Sequence, residues 1–341
     1  MAYSTGDEAL DNAARALLTE AGLDPDDRQL FEMTISVLRM GRENADRLDL
    51  KIVSTTLKEL RYSFEVFAPY RHIRKAAVFG SARTQPGDPA YESAIAIGSA
   101  LADVGWSVVT GGGPGIMTAA VEGAGGDNSF AVSIQLPFEK DEVASTLPPG
   151  RSVNFRYFFN RKLTFMKESS GYVLLPGGFG TLDEAFELLT LLQTGREMPA
   201  PVVLFEPEGD AYWRSFRHFL DVELADEALV LPEDLDLFTI TSDVDEVVEV
   251  LELFYRRYHS MRYVGGYLVL RLNTPVSDDL LAHLNAQYAD LIAAGEIKRC
   301  EASRVEVDDD DAAELPRIRF RFVDSRFARL HAMIRDINNA D

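Results

Sequence analysis

The stretch Leu174-Leu175-Pro176-Gly177-Gly178-Phe179-Gly180-Thr181-Leu182-Asp183-Glu184 organises the chain. The apolar run from Gly171 to Leu175 predicts a short buried strand. A glycine-rich turn follows, and Thr181-x-x-Glu184 predicts the opening of an amphipathic helix with Ala185, Leu188, Leu189 and Leu192 on one face. Strand, glycine turn and helix N-terminus together make an anion site. Glycine lets the backbone approach a ligand closely, and the first-turn N–H groups and helix dipole favour negative charge. Thr181 and Glu184 alone also fit a capping box. The preceding Pro-Gly-Gly-x-Gly goes beyond what a cap requires and suits a phosphate lying against backbone. The stretch is neither a Walker A loop, since no Gly-Lys-Ser/Thr follows, nor the G-x-G-x-x-G dinucleotide fingerprint.

The totals bound the function classes. The length of 341 residues suggests about two domains. A net charge of -21 repels nucleic-acid backbones and anionic membrane surfaces, so no nucleic-acid or membrane partner is expected, and an anionic ligand must be held by a local site. Cys300 is the only cysteine, which fits a reducing compartment. Met1 to Leu10 lacks a signal pattern, and no stretch approaches the ~18 apolar residues of a membrane helix. A cytoplasmic protein is expected.

Along the chain, residues 1–70 read as a helical extension, with helices over Asp11 to Ala21, Asp27 to Arg42 and Leu48 to Phe67. Leu30, Met33, Ile35, Val37 and Leu38 supply the helical period. From Arg74 strands alternate with helices, which predicts a parallel α/β domain over residues 71–260. Strands are expected at Lys75 to Gly80, Trp106 to Thr110, Phe130 to Leu136, Gly171 to Leu175 and Pro201 to Phe205, with a short edge strand at Phe238 to Ile240. A loop containing Pro137, Pro148 and Pro149 leads to a helix over Asn154 to Lys167. Further helices are expected over Tyr91 to Val104, Tyr212 to Leu224 and Val244 to Tyr258. The turns after the first, second and fourth strands, Gly80-Ser81, Gly111-Gly112-Gly113-x-Gly115 and Gly177-Gly178-x-Gly180, fall at the carboxyl edge of the sheet, where open α/β folds bind ligands. Residues 262–341 read as a small α+β module of order βαββα, with strands at Tyr267 to Leu272, Lys298 to Val307 and Arg317 to Val323, helices at Asp278 to Ala293 and Arg326 to Ile337, and a solvated acidic turn at Asp308 to Asp311.

On the helix before the fourth strand, Phe155, Phe158, Phe159, Phe165 and Met166 form an apolar stripe that carries Lys162, with Arg161 on its flank. Cations there either snorkel to solvent or are delivered to the sheet's carboxyl edge. The five histidines have no metal-site spacing, and no metal is expected. Pyridoxal chemistry is disfavoured by the absence of a His-Lys dipeptide, and NAD binding by the glycine spacing, so no cofactor is expected.

Pro-Gly-Gly-x-Gly-Thr-x-x-Glu and Phe-Phe-Asn-Arg-Lys-x-x-Phe-Met resemble the two signatures of the LOG family, phosphoribohydrolases once labelled lysine decarboxylases. The likeness covers Lys75 to Glu206, and more weakly residues to about 258. It implies a Rossmann-like parallel sheet flanked by helices and hydrolysis of a nucleoside 5'-monophosphate to free base and ribose 5-phosphate. The resemblance assigns Glu184 and Arg161 to catalysis. It assigns phosphate or substrate binding to Gly80, Ser81, Gly111, Gly112, Gly113, Gly115, Lys162, Gly177, Gly178, Gly180 and Thr181. It also implies a homodimer or higher homo-oligomer. Asn160, Asp183 and Ser133 depart from the family pattern, the last where closer bacterial relatives are expected to carry asparagine. A carboxylate beside a ribose suits an oxocarbenium-like transition state. The competing reading is a nucleotide sensor or carrier on the same fold, without turnover.

Overall fold

The computed structural model describes residues 3–135 and 146–340. Leu136 and Pro137, expected at the end of the third strand and in the loop after it, lie outside the described residues. Contacts divide the chain into two compact units, residues 1–61 and 62–341. The helices α1 (Glu8–Glu20) and α2 (Arg28–Arg42) open on Asp7 and Asp27, whose carboxylates accept from the next free backbone N–H groups. Ala14 and Leu18 of α1 pack with Phe31 and Ile35 of α2. Met33 and Val37, read as part of the helical period, are exposed, because one narrow stripe suffices for a two-helix contact. A third helix, α3, spans Arg47–Phe67.

The second unit contains a parallel sheet and an antiparallel one. The elements of the first are β1 (Lys75–Phe79), α4 (Pro89–Asp103), β2 (Ser107–Thr110), α5 (Ile116–Ala124), β3 (Ser129–Ile134), β4 (Ser152–Phe155), α6 (Phe158–Glu168), β5 (Gly171–Leu174), α7 (Phe179–Gln193), β6 (Val202–Phe205), α8 (Tyr212–Phe219), β7 (Thr239–Thr241) and α9 (Val244–Phe254). All pairings are parallel, in the order β4-β3-β2-β1-β5-β6-β7. This is the expected α/β class. Both faces are covered, so the strands are apolar throughout rather than alternating. Ala76 and Val78 face Ile97, Leu101, Ile116 and Leu251 on one side. Ala77 and Phe79 face Phe165, Leu188 and Trp213 on the other. The chain winds outward from β1 to β4, then returns to place β5 on the other flank of β1. The switch point therefore lies between β1 and β5, the position where a crevice opens at the carboxyl edge.

Two expectations here are corrected. Ser152–Phe155 is an edge strand and not the start of a helix, so Phe155 belongs to the sheet core. Helix α6 begins only at Phe158; Phe158 and Phe159 are about half exposed while Phe165 and Met166 are buried, and the expected single stripe does not exist.

The antiparallel sheet, in the order β10-β11-β9-β8, comprises β8 (Tyr258–Val264), β9 (Tyr267–Leu272), β10 (Ile292–Arg299) and β11 (Arg317–Phe322). Helices α10 (Asp278–Gln287) and α12 (Phe327–Asn339) share its apolar core, with Leu284, Leu330 and Ile334 against Leu270 and Phe320. The expected order βαββα is corrected. Strand β8 precedes it, joined to β9 through Gly265 and Gly266, both at positive φ as a tight hairpin requires. The strand expected at Lys298 to Val307 lies earlier, and residues Arg304–Asp308 form the short helix α11, opened by a capping box between Ser303 and Glu306. The acidic turn is not simply solvated. Asp309 and Asp311 bind Arg262, Asp311 also binds Arg271, and buried Glu306 bridges Arg271 and Arg317.

Helices α4 and α5 approach through glycines. A Cβ on Gly98 would lie 2.2 Å from the Ala120 carbonyl oxygen, and one on Gly123 1.9 Å from that of Ile95. Gly98→Ala should therefore lose about 1–3 kcal/mol in urea denaturation, because backbone must move. Gly41→Ala, which meets nothing within 4 Å, should lose nothing; equal midpoints for the two variants would contradict the close approach.

Candidate active site

A cleft of about 830 Å³ lies at the switch point on the carboxyl edge. Backbone hydrogen bonds hold its turns together. Ser81 N–H donates to the Pro176 carbonyl (3.1 Å), tying the turn after β1 to that after β5. Ile116 N–H donates to the Ser81 carbonyl (3.1 Å), tying it to the start of α5. The Tyr212 hydroxyl donates to the Gly177 carbonyl (2.6 Å).

The glycines divide by what a side chain would meet. Gly80 abuts Ile116, with a closest approach of 2.6 Å. Gly115, at φ 69°, would meet the Ser81 carbonyl at 2.3 Å. Gly177 would meet Thr181 Oγ1 at 2.1 Å and the Gly80 backbone at 3.1 Å. Gly112, at φ +75°, would meet Ser133 Oγ at 2.1 Å. Gly111 leaves room for the Arg161 guanidinium, 2.2 Å from the position of a Cβ. These glycines close the turns on one another. A Cβ on Gly178 or Gly180 would meet nothing within 4 Å among the described residues, and both line the cleft.

Gly178 is the N-cap of α7, and the first intrahelical bonds run from Thr181 and Leu182 N–H to its carbonyl, both 3.1 Å. The amides of Phe179 and Gly180 precede those bonds and offer donors to an anion. The helix thus starts two residues earlier than expected. The capping-box reading of Thr181 and Glu184 fails, because Thr181 is the third helical residue and Glu184 lies a turn further on.

Glu184 is buried, and its Oε2 has no hydrogen-bond partner among the described residues. Burial pushes its pKa up to about 7, against the pull of Lys162 and Arg161. Arg161 lines the cleft, its Nε donating to the Val132 carbonyl (3.0 Å). Lys162 does not line it: its ammonium binds Asp183 at 2.9 Å and also Glu187. Gly80, Ser81, Gly111, Gly112, Gly113, Gly177, Gly178, Gly180, Thr181, Arg161 and Glu184 are brought together in the cleft wall, while Gly115 sits behind it. Ser133 lies beneath Gly112 and off the wall.

Residues 115–251 match a family model described as possible lysine decarboxylase. A cytokinin riboside 5'-monophosphate phosphoribohydrolase of Arabidopsis thaliana is 28% identical over 174 residues, 50% of this chain and 78% of that protein. A second from the same plant is 26% identical over 183 residues, 52% of this chain and 82% of that protein. In sequence the α/β domain is similar to these LOG-family phosphoribohydrolases. Among solved structures, the molybdenum cofactor binding protein of Rippkaea orientalis is 19% identical, covering 53% of this chain and 96% of that one with a TM-score of 0.37. The molybdenum cofactor carrier protein of Chlamydomonas reinhardtii is 18% identical, with coverages of 52% and 96% and a TM-score of 0.35.

Among the wall residues that escaped the sequence reading are Arg83, Asn154, Phe158 and Phe179. Arg83 was signalled by its place in the first glycine turn. Asn154 was hidden by the missed edge strand, and Phe158 by its assignment to a core stripe. Phe179, 94% exposed, stands at the helix start between two open glycines.

The raised pKa of Glu184 has a sign. Its folded-state value of about 7 exceeds the ordinary 4.5, so the stability it contributes is full below pH 4.5 and is lost as pH rises through 7. Glu184→Gln should match the wild type near pH 4 and exceed its stability by about 3 kcal/mol at pH 8. Parallel stability–pH curves would show that the carboxylate is not desolvated.

Proposed function

We propose that the protein is a nucleoside 5'-monophosphate phosphoribohydrolase, releasing free base and ribose 5-phosphate. The observation that carries this reading is the buried carboxylate of Glu184, whose Oε2 has no hydrogen-bond partner among the described residues, sharing one cleft with the open N-terminus of α7. The α7 amides and the dipole of this fifteen-residue helix hold the 5'-phosphate, with Arg83 and Arg161 adding positive charge. That anchors the unreactive end of the substrate and fixes the ribose over Glu184. As the C1'–N bond breaks, its electron pair leaves with the base and positive charge develops on the ribose. The Glu184 carboxylate stabilises that charge and takes a proton from the water that adds to C1'; a proton is returned to the departing base nitrogen, which restores the carboxylate and gives the neutral free base. Arg161, packed against Gly111, pulls the Glu184 carboxylate towards its ionised form against the effect of burial. The reading includes a homodimer or higher homo-oligomer, which the resemblance implies.

Because the ionised carboxylate is the working form, kcat/KM should rise with pH through an inflection near 7. Glu184→Gln should lower kcat by about 100-fold or more with little change in KM. The assay is chromatography of AMP, GMP, CMP, UMP and N6-isopentenyl AMP after incubation, and the base released names the substrate. Tight binding with every nucleotide left intact would make the protein a nucleotide carrier or sensor.

A further inference from the structure

A second concavity, of about 600 Å³, lies at the opposite edge of the parallel sheet, where β1, β2 and β5 begin. Arg71, His72 and Arg74 come from the segment leading into β1, and His259 from β8 of the antiparallel sheet. The Arg74 guanidinium lies 4.5 Å from the centre of the Tyr255 ring, and the Tyr255 hydroxyl is anchored on the Ser170 carbonyl (2.7 Å). Stacking of this kind fixes the plane of a guanidinium while leaving its N–H edges free to bind. Among the described residues, neither Arg71 nor Arg74 has a carboxylate within ion-pair distance. The one carboxylate lining the concavity, Glu252, accepts from the Trp106 indole N–H.

Positive charge is concentrated here strongly enough to be felt locally. Burial, and then the guanidiniums of Arg271 and Arg74, hold the His259 imidazole below its ordinary pKa, against the opposing pull of Glu314 and Asp311. In a chain of net charge -21, an unpaired pair of arginines in a concave site marks a preference for anions. The volume falls in the range of small-ligand sites and exceeds what a simple ion needs.

We propose that this concavity is a second anion site, taking a phosphorylated small molecule through Arg71 and Arg74, with His72 and His259 as further donors. Guanidinium forks suit phosphoryl oxygens, which accept two parallel hydrogen bonds. The proposal does not depend on the hydrolase reading, because the site shares no residue with the cleft.

The test is calorimetric titration of inorganic pyrophosphate into four proteins: wild type, Arg71→Glu, Arg74→Gln and Gly180→Glu. The last places a carboxylate in the mouth of the cleft, where Gly180 has open space. Arg71 is exposed, so its reversal leaves folding intact even if loss of the Arg74–Tyr255 stack does not. Saturable binding that survives Gly180→Glu and weakens about ten-fold or more in Arg71→Glu is the expected result. Absence of saturable binding in the wild type up to about 1 mM would overturn the proposal. So would binding that Gly180→Glu removes and Arg71→Glu leaves unchanged.

Discussion

Everything in the cleft depends on backbone meeting backbone at the switch point between β1 and β5. Ser81 N–H on the Pro176 carbonyl, and Ile116 N–H on the Ser81 carbonyl, fasten three segments distant in sequence within 3.1 Å bonds. Side chains would prevent this approach, which is why Gly115 and Gly177 stand where they do. A glycine-rich motif is commonly credited to its ligand. Here most of the glycines serve the turns themselves, and among the described residues of these turns only Gly178 and Gly180 leave open space for an anion. The rigid turn comes first, and the free amides of α7 follow from it.

The same geometry explains the state of Glu184. With the turns closed on one another, the second turn of α7 is drawn beneath the cleft floor and its carboxylate loses water. Nearby cations do not fully compensate. Lys162 is already occupied by Asp183 and Glu187, and Arg161 is tied to the Val132 carbonyl. A carboxylate poised between protonated and ionised at neutral pH is costly to folding and useful to chemistry. Asp183, where the family pattern has glutamate, is thus part of the balance that sets how much cation Glu184 feels.

The parallel fold was legible because buried strands and glycine turns recur in register along the chain. The site motifs were legible because their residues are contiguous. What misled were local patterns with two solutions. Thr181-x-x-Glu184 has the form of a capping box but sits inside a helix that Gly178 has already capped, whereas Ser303-x-x-Glu306 is a true box. Phe155 and Phe158 fit one helical stripe in sequence, yet a strand end separates them, and only tertiary pairing with β3 reveals it. The acidic run at Asp308 to Asp311 read as solvated because its partners, Arg262 and Arg271, lie 40 to 49 residues away on other strands. The Gly265-Gly266 hairpin was missed for a different reason: its glycine pair stands between two strands, but the first of them, β8, went unread.

The two edges of the sheet differ in what they offer an anion. Helices in a parallel α/β unit begin at the carboxyl edge and end at the amino edge. At the carboxyl edge α7 presents free N–H groups and a positive dipole end, so two open glycines and a guanidinium suffice for a phosphate. At the amino edge α4 and α6 end just before β2 and β5, presenting carbonyls that repel one. An anion site there must be built from side chains. Arg74 stacked on Tyr255, with Arg71 and two histidines around it, supplies that charge where the backbone cannot.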